Sequence, residues 1–268
     1  MSAPVVRASP IESARFGLRI VRAEASTMDV DALIATLRRD RTDVAILRAP
    51  APALALVDTL RRRGLAPIVA DTIVHYDIGL PAPPIARDDS VTLLNAVSAD
   101  ADLLGSLARE TFAGYVTHYH ANPLFASEKI LAGYAEWAAG HVQAHRAGAG
   151  AWLVEADGEL AGFSCYREDP SSGLAIGVLN GIIPSMRGRG IYRRMLQQML
   201  SRFADSGNRR FAIATQVQNV AVQRIWASRG LALRRAENTV HINVLFDRSA
   251  ERHDDLEAAV SQVGRPTR

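Results

Sequence analysis

Apolar and polar positions alternate most regularly in the second half of the chain, where they predict strands and helices in turn. Two short apolar runs, Ala151–Ala156 and Leu160–Tyr166, are joined by Asp157-Gly158, a dipeptide typical of a tight β-hairpin turn. The longer apolar run Leu174–Ile183 predicts a buried strand. Apolar residues then recur at every third or fourth position from Ile191 to Phe203, which predicts a helix with one buried face.

The remaining segments carry shorter versions of the same two patterns. Strands are predicted over Phe211–Val217 and Thr239–Phe246, with a helix over Val220–Arg229 between them. Helices over Asp100–Phe112 and Ser127–His145 flank a predicted loop, Tyr115–Phe125. Towards the N-terminus we predict strands over Phe16–Ala25, Val44–Leu47 and Pro67–Ile78, a helix over Met28–Arg39 with Thr27 as N-cap, and a helix over Pro52–Arg63 with Gly64 as C-cap.

Proline and aspartate cluster between Leu80 and Ser90, which indicates a linker. We assign residues 1–80 to an N-terminal domain, 81–90 to the linker, 91–246 to a second domain and 247–268 to a polar C-terminal tail. The sequence Arg63–Ala66 recurs as Arg229–Ala232, and at the same offset His75 matches His241. Either this repeat is chance in a chain rich in alanine and arginine, or the N-terminal part is a diverged copy of the C-terminal module. We expect a structural role for both histidines.

Composition narrows the class of protein. The 268 residues are 48% hydrophobic and 22% charged, which is typical of a folded globular protein. No run of about 18 apolar residues predicts a membrane span, and the first ten residues lack the apolar region of a secretory signal. Cys165 is the only cysteine, which excludes an intrachain disulfide and a cysteine-based metal cluster and favours a reducing cytoplasm.

The formal net charge of +3 is small, and the arginines that dominate the basic residues are spread along the chain. Such a distribution is more typical of a solvated surface than of a nucleic-acid site. We therefore expect neither a nucleic-acid nor a membrane partner. The sequence leaves the oligomeric state open, and a homodimer is one of the states it allows.

The segment Asn180–Tyr192 combines a strand end, a glycine-containing loop and the start of a helix. The first turn of a helix offers unpaired backbone N–H groups and the positive end of the helix dipole. Gly188 and Gly190 let the backbone approach a ligand closely. With Arg187 and Arg189 alongside, the segment predicts a phosphate or pyrophosphate site. A tight turn with solvated arginines is the alternative.

This segment resembles motif A of the Gcn5-related N-acetyltransferase (GNAT) superfamily, in which a strand is followed by Arg-x-x-Gly-x-Gly/Ala and a helix. Arg187 and Gly190 match the arginine and the first glycine, whereas Tyr192 stands where the family usually has glycine or alanine. Motif B of the same family is resembled by Thr215–Asn219 and Ile225–Leu231, and the likeness extends over Ala151–Phe246.

The resemblance implies an α/β (α+β) fold with a mixed, mostly antiparallel sheet. The fourth and fifth strands of that sheet, here Leu174–Ile183 and Phe211–Val217, would splay apart, and a diverged partial GNAT-like domain would precede it. Acetyl-CoA would enter the gap as co-substrate, with its pantetheine along the fourth strand and its pyrophosphate on the glycine loop. A backbone N–H of that strand would polarise the thioester carbonyl. The residues expected to contact acetyl-CoA are Gly181, Ile182, Ile183, Arg187, Gly188, Arg189, Gly190, Ile191, Tyr192, Asn219 and Trp226.

The acid and the base are less well defined by the sequence. Many members of the family have a tyrosine acid where this chain has Trp226, and the fourth strand offers no carboxylate. An indole N–H is not a useful acid near neutral pH, so either the thiolate leaves without a positioned acid, or another residue supplies it, or the site is weak. We expect His118 and His120, alternating along an extended stretch, to act in proton transfer. The alternatives are a hydrogen-bonded polar loop and a metal site, and two ligands without nearby carboxylates argue against a metal.

A narrower resemblance concerns the amine acceptor. The dTDP-fucosamine acetyltransferase subgroup, which acetylates a nucleotide-linked amino sugar, is resembled at Glu12–Ile20, Ala70–Val74, Tyr119–Pro123 and Arg189–Tyr192. This resemblance would place the acceptor near Asp71, His118 and His120. The competing hypothesis, motivated by Trp226, is a non-catalytic GNAT-like module that binds coenzyme A or a protein partner. A dinucleotide-binding protein is disfavoured, because no G-x-G-x-x-G follows a strand near the start of a βαβ unit.

Overall fold

The computed structural model describes residues 5–24, 29–51, 55–80, 90–143 and 148–244, which form a mixed α/β fold of seven α-helices and ten strands. The chain divides into two compact units. Unit 1 comprises Met1–Asp71, Ala121–Pro123 and Glu237–Arg268, and unit 2 comprises Thr72–His120 and Leu124–Ala236. In the part of the chain that the structure describes, no helix is both long and apolar enough to cross a membrane.

The strands and helices have the following bounds. The strands are β1 (Val6–Ala8), β2 (Ile20–Glu24), β3 (Val44–Pro50), β4 (Pro67–Gly79), β5 (Val91–Asn95), β6 (Ala149–Ala156), β7 (Glu159–Asp169), β8 (Leu174–Ile182), β9 (Arg210–Gln216) and β10 (Ala232–Asn243). The helices are α1 (Pro10–Phe16), α2 (Val30–Arg39), α3 (Ala55–Arg62), α4 (Ala101–Phe112), α5 (Ser127–Gln143), α6 (Ile191–Asp205) and α7 (Val220–Ser228).

In unit 1, β2 runs parallel to β3, and residues 237–243 of β10 pair antiparallel with the other edge of β3. Leu33 of α2, Leu60 of α3 and Leu47 of β3 are among the fully buried residues of its core. Asp29 is the N-cap of helix α2, and its carboxylate accepts hydrogen bonds from two backbone N–H groups of the first turn. The N-cap predicted at Thr27 lies outside the described residues.

Three sequence-based boundaries are corrected. Phe16 ends helix α1 instead of beginning a strand, because Gly17 adopts a left-handed conformation (φ 72°) that terminates the helix. Strand β5 was not predicted, since its five residues are too few for a clear alternation. Strand β10 starts at Ala232, ahead of the predicted Thr239, because exposed polar residues such as Arg234 mask the apolar pattern.

Unit 2 contains the strand order β4-β9-β8-β7-β6-β5, in which every pairing is antiparallel except β8 with β9. Alternate residues of β6 enter different cores. Trp152 packs with α6 residues such as Met199 in one core, whereas Ala151 packs with α4 residues such as Leu104 in another.

Strands β8 and β9 separate partway along their length. Their pairing covers only Leu174–Gly177 against Arg210–Ile213. At the same place the register between β7 and β8 shifts, so that Val178 is an extra residue on β8, and such a bulge bends a strand away from its partner. The predicted splay is therefore confirmed, and the edge of β8 that faced β9 is open from Val178 onward.

The turns at the two copies of the sequence repeat have the same geometry. Gly64 and Gly230 follow helices α3 and α7 in left-handed conformations, with φ of 80° and 84°. In each turn the N–H of the following leucine donates back to a carbonyl in the last turn of the helix, at 3.1 Å in both cases. Both leucines, Leu65 and Leu231, are buried.

Candidate functional site

The loop between β8 and α6 presents a row of free backbone N–H groups. A short 3-10 turn at Pro184–Met186 is followed by Gly188 and Gly190, which have φ of 77° and 72°. In the described part of the chain, no backbone carbonyl accepts from the N–H groups of residues 188–193. A Cβ atom added at either glycine would meet no atom within 4 Å, so the space above the loop is open. Backbone amides at a helix N-terminus suit a phosphate or pyrophosphate group.

The two arginines of the loop differ in what they contact. Arg187 donates from Nε to the Ile182 carbonyl at 3.0 Å and from Nη2 to the Thr111 carbonyl at 2.6 Å. Its guanidinium therefore connects the end of β8 to the end of α4. Two of its nitrogens are engaged in this way, although the sequence predicts that Arg187 binds acetyl-CoA. Arg189 is exposed beside the free amides and adds positive charge there.

Of the strand residues predicted to meet acetyl-CoA, Ile182 faces the open edge. The Ile183 N–H donates to the Ala161 carbonyl at 2.9 Å, so it belongs to the ladder with β7. Because an antiparallel ladder alternates its hydrogen-bonding direction, the N–H of Ile182 points to the other edge, which β9 has left. Gly181 lies under α4: a Cβ there would come within 2.2 Å of the Thr111 side chain.

Four side chains form a hydrogen-bonded cluster at the end of β9, where that strand has separated from β8. The Tyr115 hydroxyl donates to Gln216 Oε1 and lies 3.4 Å from Thr215 Oγ1. The same Thr215 oxygen accepts from Asn219 Nδ2 at 3.1 Å. Asn219, predicted to contact acetyl-CoA, therefore uses its amide to hold the start of α7. We define the cluster as Tyr115, Thr215, Gln216 and Asn219.

Trp226 is fully buried, and its indole Nε1 donates to the Tyr192 hydroxyl at 3.2 Å. Tyr76 of β4 packs edge-on against the indole, with ring centroids 5.4 Å apart. Burial raises the pKa of Tyr192 above its ordinary value, although the hydrogen bond from Trp226 opposes part of that rise. The Tyr192 phenol is therefore protonated throughout the physiological range.

The two candidate histidines lie on a 3-10 turn, His118–Ala121, and the predicted extended stretch is wrong. His118 is buried and its ring lies 3.9 Å from that of Tyr119. His120 is exposed, and its Nδ1 accepts the Thr117 N–H at 3.1 Å. A neutral His120 in this arrangement carries its proton on Nε2, so it must give up the Thr117 hydrogen bond before Nδ1 accepts a proton from an amine. Catalysis by either histidine stays a prediction.

His241 and Asp71 both lie in unit 1. His241 is completely buried, and Nδ2 of Asn122 lies 3.3 Å from its Nδ1. Burial, together with the charges of two nearby arginines, lowers the pKa of His241 to about 4, so the ring is neutral. Asp71 accepts a hydrogen bond from Thr239 and lies 3.7 Å from Arg48. These contacts account for both side chains as parts of the unit 1 interior.

Within the described ranges, no three side chains of the His, Cys, Asp or Glu type come together as a metal site would require. Cys165 is buried in the strand β7 core, and burial raises the pKa of its thiol, which leaves it unreactive.

Three side chains of this region were missed from the sequence: Thr111, Tyr115 and Gln216. Each lies far along the chain from the residue it contacts, and Tyr115 and Gln216 are separated by 101 positions. A local pattern carries no signal for such pairs.

Comparisons with known proteins place these features in context. Residues 110–231 match the family model described as acetyltransferase (GNAT) family. A functionally unknown conserved protein from Staphylococcus epidermidis is similar in structure with a TM-score of 0.61 at 11% identity, over 91% of this chain and 92% of that chain.

Two GCN5-related N-acetyltransferases have TM-scores of 0.57 at 13% identity. The one from Kribbella flavida matches over 90% of this chain and 88% of its own, and the one from Sphaerobacter thermophilus over 89% and 76%. Likeness at these identities shows the fold. No curated protein matches the sequence.

Proposed function

We propose that this chain, whose residues 110–231 match the GNAT acetyltransferase family model, transfers an acetyl group from acetyl-CoA to a primary amine of a small molecule. The observation that supports the choice of acetyl-CoA is the row of free N–H groups at residues 188–193, next to the open edge of β8. The first would hold a pyrophosphate and the second an extended pantetheine.

In the proposed reaction, the N–H of Ile182 donates a hydrogen bond to the thioester carbonyl. Charge develops on that oxygen when the amine attacks, so a fixed donor stabilises the transition state more than the ground state. The bulge at Val178 positions this amide by turning the strand edge away from β9. Water is excluded on the α4 side, where Thr111 packs directly over Gly181.

For the acceptor we propose an amine on a nucleotide-linked amino sugar. The support is the resemblance of Glu12–Ile20, Ala70–Val74 and Tyr119–Pro123 to the dTDP-fucosamine acetyltransferase subgroup. We further propose action in the cytoplasm, because the single, buried Cys165 is consistent with a reducing compartment.

A non-catalytic module that binds coenzyme A or a protein partner is the second candidate. It is favoured by two observations: Trp226 occupies the position of the family's usual acid, and His120 has its Nδ1 engaged by Thr117. Each observation leaves one candidate proton-transfer position without an available group, and neither affects the free amides of the loop.

Turnover separates the two candidates. Acetyl-CoA is incubated with the protein and a panel of primary amines, comprising nucleotide-linked amino sugars, free amino sugars and polyamines, and free thiol is followed. The transferase predicts amine-dependent thiol release and an acetylated product detected by mass spectrometry. Coenzyme A binding without release of thiol on any amine would instead establish the binding module.

A further inference from the structure

Trp226 leaves the transfer reaction without a general acid at this position, because an indole N–H cannot protonate a departing thiolate near neutral pH. Trp226 is one departure from the family pattern, and Tyr192, at a position that is usually glycine or alanine, is a second. The structure brings the two departures together: the Trp226 indole N–H donates to the Tyr192 hydroxyl at 3.2 Å. The Tyr192 phenol is thus hydrogen-bonded to Trp226, the residue that stands in place of the usual acid.

We propose that the Tyr192 hydroxyl is the general acid of the transfer reaction, delivered from the first turn of α6 and oriented by Trp226. This inference rests on the proposed acetyl transfer. In place of a single acid on α7, Tyr192 on α6 supplies the phenol and Trp226 on α7 orients it.

The direction of the hydrogen bond supports this role. An indole nitrogen only donates, so the Tyr192 oxygen accepts and its own proton remains to be donated elsewhere. Among the described residues, the structure shows no protein acceptor for that proton. The nearby Tyr115 differs, because its proton goes to Gln216, which leaves Tyr192 as the phenol with a proton to give.

The location of the ring supports it as well. Tyr192 lies within the row of free amides, and its ring packs against the core that contains Ile182 of β8, Ile213 of β9 and Trp226. The Tyr192 hydroxyl also lies close enough to Tyr115 for that phenol to raise its pKa. Tyr115 contacts Thr215 and Gln216, on the part of β9 that no longer pairs with β8. Burial raises the pKa of the phenol, so the hydroxyl holds its proton when the substrates bind.

The proposed step balances as follows. The amine nitrogen forms a bond to the acyl carbon, and the carbon–sulfur bond breaks with its electron pair on sulfur. The Tyr192 proton moves to that sulfur, giving a free thiol. The phenolate then takes up the proton that the amine nitrogen releases on becoming an amide, so the enzyme ends the cycle unchanged.

The test is the variant Y192F, which keeps the ring and removes only the hydroxyl. We expect kcat to fall by about 100-fold, the usual scale for losing a general acid, while the affinity for acetyl-CoA measured by calorimetry is retained. The matched control is Y166F, since Tyr166 is another half-buried phenol whose pKa burial raises, and its ring stacks on Trp152. Y166F is expected to keep wild-type kcat.

Rescue distinguishes catalysis from packing. The double variant Y192F/W226Y returns a phenol to position 226 and is expected to recover kcat relative to Y192F. Unchanged kcat in Y192F, lost acetyl-CoA affinity in that variant, or a double variant as slow as Y192F would each overturn the acid assignment. Absence of turnover in the wild type with every amine would contradict the proposed function itself, and the acid assignment would fall with it.

Discussion

Arg187 and Arg189 stand two positions apart in one loop but differ in their partners. The Arg187 guanidinium donates to the carbonyls of Ile182 and Thr111, so its charge stabilises the meeting of β8 and α4. Arg189 has its side chain in solvent beside the free amides. The structure thus separates a bracing arginine from one that is available to an anion.

The variants R187A and R189A test this separation. Loss of two hydrogen bonds from a charged donor is expected to lower the free energy of unfolding of R187A by about 1–2 kcal/mol. R189A is expected to keep wild-type stability and to bind acetyl-CoA more weakly. Thermal unfolding and calorimetric titration of both proteins provide the readouts, and the reverse pattern would show that Arg187 is the phosphate ligand.

The site residues that sequence could predict are those close together in the chain. The loop from Gly188 to Tyr192 is one contiguous segment whose chemistry follows from glycine, charge and a helix start. The Tyr115–Gln216 and Trp226–Tyr192 hydrogen bonds join residues that only the fold brings together. The turn geometry that engages His120 with Thr117 was likewise hidden, because the surrounding residues carry no strong helical or strand pattern.

At the level of elements, Asp77 connects three strands of unit 2. Its buried carboxylate on β4 accepts from Arg210 of β9 and from Arg234 of β10. Burial alone would raise the pKa of Asp77, but the hydrogen bonds from both arginines outweigh it and hold the pKa below its ordinary value. The ionised carboxylate therefore stabilises the folded state.

D77N is expected to lower the free energy of unfolding by about 2 kcal/mol at neutral pH, because both arginines lose a charged acceptor. A carboxylate whose pKa is lowered on folding contributes stability above its unfolded pKa and loses it as the pH falls through the folded pKa. The difference from wild type should therefore narrow below about pH 4. Chemical unfolding across this pH range provides the measurement.

D58N is the matched control, since Asp58 forms an exposed ion pair with Arg62 at 2.8 Å. Its effect should stay below about 0.5 kcal/mol at every pH. An equal loss in D58N and D77N, or a D77N effect that persists in acid, would show that the Asp77 charge is not what holds these strands.

Elements with long periodic patterns were predicted from the sequence, whereas helix α1 and strands β1 and β5 were not. Helix α6 has fifteen residues and a clear apolar face, which accounts for its correct prediction. Strands β1 and β5 have three and five residues, too few for a pattern to stand out against neighbouring segments.

At the scale of the whole molecule, the composition of the two units follows from strand pairing. Residues 73–79 of β4 come after the unit 1 helix α3 but pair with β9 in unit 2. Residues 237–243 of β10 come after the unit 2 helix α7 but pair with β3 in unit 1. A proline-rich stretch between 80 and 90 marks where the chain changes composition, and it carries no information about which strands pair.

We propose that the N-terminal part of the chain, up to β4, and the C-terminal part, up to β10, are diverged copies. The last strand of each copy, β4 or β10, pairs with a strand of the other copy. Both contain a parallel strand pair, β2 with β3 and β8 with β9, and both end in a helix, a left-handed glycine turn and a further strand. They differ where function is concerned, because β2 and β3 stay paired from Ile20 to Glu24 whereas β8 and β9 part after Gly177. Under this proposal only the C-terminal copy keeps a gap for acetyl-CoA.

Titration of acetyl-CoA by calorimetry, into the wild type and into G190E and G190A, tests the central claim most directly. Both substitutions bear the same strain at φ 72° and meet no atom within 4 Å, but only glutamate puts bulk and negative charge over the free amides. We predict binding to the wild type and to G190A and no detectable binding to G190E. A wild type that does not bind acetyl-CoA, or a G190E that binds it as the wild type does, would contradict the account.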